Sequence, residues 1–211
     1  MWKHKETPMS QLLEKLTPPD YVTTTWSGGT TTQLLIAPAG ADYAHRDFLW
    51  RVSSATVALE ESDFTSLPDY RRLIATLQGD IVLTHNAGAP VTLRPCEVHA
   101  FDGGDRTKSV GCCRDFNLML RKGRADGRME SIELQQFRRL IPHECCQQQL
   151  VYCVRGSCRI SALLSGEDVQ PQSLQLDAGQ TLLIRGPVSL LAEPLDAHTL
   201  LMYCQMWRTE L

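Results

Sequence analysis

The chain has 211 residues, of which 43% are hydrophobic and 21% charged, and its formal net charge at pH 7 is -3. This length allows one large domain or two small ones, and the modest charge without a long basic run argues against a nucleic-acid-binding surface. The apolar runs are far shorter than the roughly 20 residues of a membrane-spanning helix. We therefore expect a globular protein that binds neither nucleic acid nor membrane.

The N-terminal region predicts a cytoplasmic protein that begins with a short helix. The charged residues of Met1–Glu6 have no apolar segment behind them, so we expect no secretory signal. Residues 10–16 fit a short helix, with Ser10 as its N-cap and with Pro18 and Pro19 after its last turn.

Beyond this region the chain is a series of short apolar or alternating runs, each bounded by Gly, Pro, Asp or Asn. Many short strands at this spacing, with almost no helical periodicity, predict an all-β sandwich or barrel. The runs are Thr31–Ile36, Phe48–Leu59, Leu73–Leu77, Ile81–Thr84, Val98–Phe101, Phe116–Leu120, Gln149–Val154, Cys158–Leu163, Ser173–Leu176, Thr181–Ile184, Val188–Leu191 and Leu200–Trp207.

Two of these patterns occur twice. Residues 73–84 align with residues 150–161, and each stretch is interpreted as a hairpin with a Gly and a small polar residue at its turn. Residues 91–101 align with residues 174–184. The offset grows from 77 to 83 residues, which indicates a six-residue insertion near Ser165–Pro171. Matching segments in the same order predict a duplicated β-unit.

The order of hairpins and Gly or Pro turns resembles the cupin fold, a small jelly roll. We therefore predict a bicupin: two cupin-type jelly-roll β-barrels with a short N-terminal helix. The predicted boundaries are an N-terminal extension over residues 1–19, a first barrel over 20–125 and a second over 126–211.

Neither repeat carries the ligands of a metal-dependent cupin, which are two His two residues apart, a Glu and a further His. His85 follows Gly79 by six residues, but Asn86 and Ala87 come next. The second repeat has neither His nor Glu between Gly156 and Glu167. His85 and His99 remain as a pair, and two ligands alone make a poor metal site. We expect no metal and no other cofactor.

The eight cysteines are predicted to be free, mostly buried thiols. Cys112 and Cys113 are adjacent, as are Cys145 and Cys146, and no pair of cysteines has the spacing of a metal site. A chain of this length also folds without disulfide bonds.

Four motifs in order resemble the HutD/Ves family of the RmlC-like cupin superfamily. They are Trp26-Ser-Gly-Gly-Thr-Thr-Thr-Gln33, Phe48-Leu-Trp-Arg-Val-Ser53, Asp63-Phe-Thr-Ser-Leu-Pro68 with the following Arg71-Arg72, and Asp115-Phe-Asn-Leu-Met119. The chain departs from the family pattern at Ser27, Thr30 and Leu67, where the family has Asn, Gly and an aromatic residue. The resemblance implies a cytoplasmic bicupin without an established catalytic activity, some of whose relatives belong to histidine-utilisation gene sets.

Strand periodicity within these motifs indicates a polar face. Trp50 and Val52 fall on one face of the run Phe48–Leu59, and Arg51, Ser53 and Ala55 fall on the other. An arginine centred in a strand needs an anion, which Asp115 or a ligand would supply. Asn117 lies mid-strand, where asparagine is disfavoured, and this also indicates a site.

Three hypotheses about function follow. In the first, the protein is a non-catalytic binding module that holds a small anionic metabolite in the first barrel through Arg51, Ser53, Asp115 and Asn117, with Trp50 as a wall. The family resemblance implies an intermediate of histidine breakdown, such as urocanate or formylglutamate. In the second, the protein is a metal-free epimerase, isomerase or lyase with His85 or His99 as general base. In the third, it is an interaction protein with an empty barrel. Apolar edge strands also favour a homodimer.

Overall fold

The computed structural model describes residues 12–164 and 172–209, and these residues are almost entirely β structure. Apart from one 3-10 turn at Pro18–Asp20, the described chain contains no helix, and so none that could span a membrane. The predicted N-terminal helix is therefore wrong for Leu13–Leu16, which form strand β1. Their backbone pairs antiparallel with residues 181–184, and this pairing outweighs the local preference for a helix. Ser10 lies outside the described residues.

The described chain divides into two compact units. The first lobe is Tyr21–Ser131 with residues 208–209, and the second lobe is residues 12–20 with Ile132–Trp207, apart from residues 165–171. Residues 12–20, which the sequence places in an N-terminal extension, cluster with the second lobe because β1 extends one of its sheets.

The first lobe contains two sheets. One has six strands in the order β2-β3-β4-β11-β6-β9, and the other has four in the order β5-β10-β7-β8. The strands are β2 (Val22–Trp26), β3 (Gly29–Ala37), β4 (Trp50–Val57), β5 (Glu61–Asp63), β6 (Tyr70–Gln78), β7 (Ile81–His85), β8 (Val91–Leu93), β9 (Val98–Asp102), β10 (Thr107–Val110) and β11 (Cys113–Arg121).

The second lobe also contains two sheets, with strands in the orders β1-β17-β14-β19-β12 and β13-β18-β15-β16. The strands are β12 (Ala125–Leu134), which begins in the first lobe, β13 (Arg138–Leu140), β14 (Gln148–Arg155), β15 (Ser157–Leu163), β16 (Ser173–Asp177), β17 (Thr181–Arg185), β18 (Ser189–Pro194) and β19 (Thr199–Arg208).

The sheet orders confirm the predicted duplication. The order β4-β11-β6-β9 corresponds strand for strand to β12-β19-β14-β17, and β5-β10-β7-β8 corresponds to β13-β18-β15-β16. The two lobes thus share a unit of eight strands with the same order and connectivity. Each lobe consists of two open sheets rather than one closed barrel. The predicted insertion near Ser165–Pro171 falls outside the described residues.

The predicted hairpins within each repeat are wrong, although their strands are present. β6 and β7 lie in different sheets, as do β14 and β15, so the chain crosses between sheets at Gly79 and at Gly156. Both glycines have a positive φ, of 80° and 71° respectively. A Cβ at Gly79 would collide with the carbonyl oxygen of Cys112. Gly79 therefore allows the tight turn by which the chain passes from one sheet to the other, and this turn is not that of a hairpin.

The two lobes differ in what fills them. The interior of the second lobe is a continuous apolar cluster that includes Val151, Leu182, Leu201 and Tyr203, all almost fully buried. The first lobe has two smaller apolar clusters, one around Ile74 and Phe101 and one around Phe48 and Tyr70. The first lobe also contains a cavity lined in part by buried polar side chains, including Arg51, Arg72, Asp115 and Asn117, which directs attention to this lobe.

Candidate binding site

Three neighbouring strands of the first lobe bring the polar residues together. In the register of β4, β11 and β6, Arg51 and Arg72 both lie opposite Met119. Two residues further along β4, Ser53 lies opposite Asn117, and two residues beyond that, Ala55 lies opposite Asp115. Residues directly opposite each other in antiparallel strands share a face, and every second residue of a strand returns to it. Arg51, Ser53, Asp115 and Asn117 therefore share one face of the sheet.

That face lines a cavity of about 370 Å³. Its walls also include Arg72 from β6, Tyr43 from the loop before β4, and the segment Ser62–Thr65. The structure thus places Arg51, Ser53, Asp115 and Asn117 in the lining of one cavity, and their role in binding stays a prediction.

Trp50 does not belong to this pocket. Trp50 directly precedes Arg51 on β4, so its side chain lies on the opposite face of the sheet. It is buried on that face. The wall that the sequence analysis assigned to Trp50 is formed by other aromatic residues, Tyr43 and Phe64.

Arg51 is buried and well held. Its Nε donates to Oε1 of Gln33 at 2.8 Å, and its Nη1 donates to Oγ of Ser53 at 3.0 Å. The guanidinium carbon lies 4.4 Å from the centre of the Tyr43 ring, in a cation–π contact. Burial lowers the pKa of Arg51, but an arginine remains charged at any physiological pH.

The ion pair between Arg51 and Asp115, one of the two predicted roles for this arginine, is not formed. Arg51 bonds Gln33 and Ser53 instead. The register explains this result: Arg51 lies opposite Met119, four residues from Asp115, which corresponds to about 13 Å along the strand.

Arg72 is a second buried arginine in the cavity, and it is only weakly bonded. It lies between two aromatic rings, with its guanidinium carbon 5.0 Å from the centres of Phe64 and Phe101. Its hydrogen bonds to Oδ1 of Asn117 and to the carbonyl oxygen of Thr65 are both 3.5 Å long, beyond the usual range. Burial lowers its pKa to about 10, so it is charged at neutral pH.

Asp115 is the carboxylate at the far end of the same face, and it is 6% exposed. Its Oδ1 accepts one hydrogen bond, from the backbone N–H of Ala55 at 3.2 Å. Burial raises its pKa to about 6, and the positive charge of Arg72 and the Ala55 bond only partly oppose this effect. Beside it in the register lies Thr76, a fully buried residue whose Oγ1 has no hydrogen-bond partner among the described residues.

Arg72 was not predicted as a site residue, although one of the four motifs contains it. Arg72 shares strand parity with Tyr70, Ile74 and Thr76, all of which are buried, whereas Arg71 is exposed. Leu73, Ala75 and Leu77, which share the parity of Arg71, are buried as well, so alternation along β6 gave no local signal for Arg72. Gln33 and Tyr43 also carried no signal, because only the packing of β3 and of the loop before β4 brings them to Arg51.

In the second lobe, the described residues at the corresponding positions belong to a well-packed interior. The pairings of β14 with β19 match those of β6 with β11, so Arg72 corresponds to Gln149, and Asp115 and Asn117 correspond to Leu201 and Tyr203. Gln149 donates to the carbonyl oxygens of Gly186 and Val188 and accepts from the Tyr203 hydroxyl. These contacts satisfy the amide within the lobe, and apolar side chains fill the rest.

His85 and His99 are in contact, although their strands β7 and β9 belong to different sheets, and neither residue lines the cavity. Their Nε2 atoms are 3.0 Å apart, and Nδ1 of His85 lies 2.8 Å from Oγ1 of Thr107. The Phe101 ring stacks on His85, while Arg72 lies over the same ring, so Phe101 separates the pair from the cavity. Within the described ranges, no group of three or more His, Cys, Asp or Glu residues could hold a metal ion.

The cysteines follow the prediction. All eight lie within the described residues as free thiols, and five of them are buried: Cys113, Cys146, Cys153, Cys158 and Cys204.

Comparison with known sequences agrees with the motifs. A family model described as HutD matches residues 18–202. Over 127 residues the chain is 32% identical to a Pseudomonas putida protein named as an uncharacterized 21.2 kDa protein in the hutC 3′ region. That match covers 58% of this chain and 65% of the relative, so it spans slightly less than two thirds of the relative's length.

Solved structures show the same fold. A conserved protein of unknown function from Pseudomonas aeruginosa PAO1 superposes with a TM-score of 0.76 at 25% identity, covering 92% of this chain and 98% of that one. HutD from Pseudomonas fluorescens SBW25, solved in a formate condition, gives a TM-score of 0.73 at 23% identity over 94% and 100% of the two chains. A mutant of the Bacillus subtilis oxalate decarboxylase OxdC gives 0.64 at 6% identity over 93% and 77%. These likenesses confirm the cupin-like fold.

Proposed function

Because the chain belongs to the HutD family, we propose that it is a non-catalytic binding protein that holds a small carboxylate in the cavity of the first lobe. One observation carries the proposal: two buried guanidinium groups, those of Arg51 and Arg72, line a single cavity, and among the described residues neither is in direct contact with a carboxylate. The negative charge of Asp115 acts on both arginines only from a greater distance, and a bound anion would offset more of the cost of burying them.

A carboxylate suits these groups better than other anions of similar size. Guanidinium is a planar fork of N–H donors that matches the two oxygens of a carboxylate, and it stacks readily on aromatic rings. The rings of Tyr43 and Phe64 hold the two arginines in place from the side. Arg72, which has only long hydrogen bonds, retains donors for a ligand.

The locus of the curated relative suggests which carboxylate to test first. That protein is named for its place beside hutC, and the family itself is HutD. We propose an anionic metabolite of histidine utilisation, with urocanate and formylglutamate as the first candidates, and a metabolic or regulatory role in the cytoplasm. The eight free thiols fit a reducing compartment.

The test is calorimetric titration of the purified protein with urocanate, formylglutamate and short aliphatic acids, supported by thermal-shift measurements. A ligand at 100 times its dissociation constant adds about 2.7 kcal/mol to the free energy of unfolding. We expect Arg51→Met and Arg72→Met each to weaken binding about 10- to 100-fold, since a hydrogen bond to a charged group contributes about 1.5–3 kcal/mol.

Arg71→Met is the matched control. Arg71 is adjacent to Arg72 in the chain but exposed, and its Nη1 is paired with Asp126 at 2.7 Å. This variant should bind as the wild type does. The absence of binding for every acid, or equal losses in the Arg71 and Arg72 variants, would refute the proposal.

A further inference from the structure

Asp115 places a buried carboxylate in a cavity that two buried arginines and the exposed Asp63 also line, so the buried charges of the cavity differ in sign along β11. Arg51 and Arg72 lie opposite Met119, and Asp115 lies four residues further along the same strand. A second carboxylate brought near Asp115 would be repelled, so an anion alone suits only the arginine end.

The carboxylate of Asp115 has unused capacity to accept hydrogen bonds. An ionised carboxylate offers about four acceptor positions. Within the described part of the chain, a single hydrogen bond reaches Asp115, from Ala55, and the positive charges of Arg72 and Arg51 act on it without a direct ion pair. The buried hydroxyl of Thr76 beside it also lacks a partner in the described residues.

The fold itself does not require polar residues at these two positions. In the second lobe the register equivalents of Asp115 and Thr76 are Leu201 and Cys153, which are fully buried in its apolar core. The same strands in the same order thus close around apolar side chains in the second lobe. Polar groups at these positions in the first lobe therefore call for an explanation beyond folding.

We propose that the ligand is an acid that also carries a hydrogen-bond donor, an N–H, ammonium or O–H group, and that Asp115 binds this donor while Arg51 and Arg72 bind the carboxylate. This inference rests on the proposed function and adds the substrate class. Burial raises the pKa of Asp115, which means that an unpaired charge there is unfavourable, and a donor from the ligand would offset that cost.

The experiment compares acids that differ only in the donor. Wild-type protein is titrated at pH 7.5 with butyrate, 4-hydroxybutyrate and 4-aminobutyrate, and with the longer pair hexanoate and 6-aminohexanoate. We expect the acids with a donor to bind at least tenfold tighter than the plain acid of the same length. The acid length at which the donor improves the dissociation constant most indicates the distance between Asp115 and the arginines.

Two variants assign the preference to Asp115. Asp115→Leu, which introduces the residue type of the second lobe, should bind butyrate more tightly than the wild type and the amino acid more weakly. Asp115→Asn keeps an acceptor oxygen without the charge, so it should lose the preference for the ammonium group but retain part of that for the hydroxyl. A residue that only supported the fold would weaken all of these ligands together.

The outcomes separate this inference from the proposed function. If wild-type protein binds plain and donor-bearing acids equally, or if both Asp115 variants weaken them equally, the inference is wrong while carboxylate binding stands. If no acid binds to the wild type, the proposed function is itself wrong. Should Asp115→Leu fail to fold, the wild-type series and Asp115→Asn still decide the question.

Discussion

Arg51 and Arg72 lie on either side of Met119, each directly opposite it in the register of the six-stranded sheet. This relationship places two guanidinium groups from different strands in one cavity, where each is 6% exposed. Neither motif by itself predicts that the two arginines share a cavity. Their strands, β4 and β6, are separated by β5 in the chain, and each pairs with β11 in the sheet. The cavity follows from this pairing, and four predictions test it and the surrounding fold.

Replacing Arg72 with methionine should stabilise the protein in the absence of ligand. Methionine can pack between Phe64 and Phe101 without the cost of burying a charge that has no direct ion-pair partner, and we expect this gain to exceed the lost attraction between Arg72 and Asp115. We expect the free energy of unfolding, measured by urea denaturation, to rise by about 1–2 kcal/mol. The exposed Arg71→Met variant should change it by less than about 0.5 kcal/mol. A loss of stability in Arg72→Met would mean that the arginine is already compensated within the protein.

The buried carboxyl of Asp115 should make stability depend on pH. Its pKa rises from an ordinary value of about 3.9 to about 6, so the folded state binds a proton more tightly than the unfolded state. The free energy of unfolding should therefore fall as the pH rises from about 4 to 7, by about 3 kcal/mol. Arg51, Arg72 and Asp63 are the other charged groups that line the cavity.

Asp115→Asn is the comparison for this pH dependence. The variant lacks the titrating group, so its stability curve should be flatter across the same window and should lie above that of the wild type at pH 7. Urea denaturation at half-unit pH steps measures both curves. Identical curves for the two proteins would show that Asp115 has an ordinary pKa.

Gly79→Ala should destabilise the first lobe strongly. Alanine is strained at a φ of 80°, and its Cβ would also collide with the Cys112 carbonyl oxygen at the corner between the sheets. The control is Gly123→Ala, where φ is 68° but a Cβ meets no atom within 4 Å. The control should cost about 1 kcal/mol of unfolding free energy, and Gly79→Ala should cost at least about 1 kcal/mol more. Equal losses would mean that the corner relaxes around the added methyl group.

Tyr203→Phe should lower stability without changing ligand binding. The Tyr203 hydroxyl donates to Oε1 of Gln149 within the second lobe, and its removal leaves that buried acceptor unpaired. We expect a loss of about 1–3 kcal/mol in the free energy of unfolding. The dissociation constant for the carboxylate ligand should stay within twofold, because the site lies in the first lobe. A large change in that constant would indicate that the second lobe contributes to binding.

Much of the first lobe's site could be predicted because strand parity is a local property. Alternation along β4 placed Arg51 and Ser53 on one face, whereas Asp115 was singled out as a partner for Arg51 and Asn117 as a residue disfavoured in mid-strand. Parity also argued against Trp50, which differs in phase from Arg51. The role of Arg72 required the pairing of β6 with β11, which no local pattern reveals.

The sequence by itself determined the all-β class, the duplication and the polar face of β4, because side-chain alternation and turn residues are encoded over a few neighbouring positions. Only the tertiary structure decided which strands pair, that Gly79 and Gly156 turn the chain from one sheet to the other, and that Leu13–Leu16 extend a sheet instead of forming a helix. The physical reason is that backbone hydrogen bonds between strands join residues distant in the chain. The same distant pairing places Arg51 and Asp115 at register positions four residues apart on β11, about 13 Å of backbone, and no direct ion pair joins them.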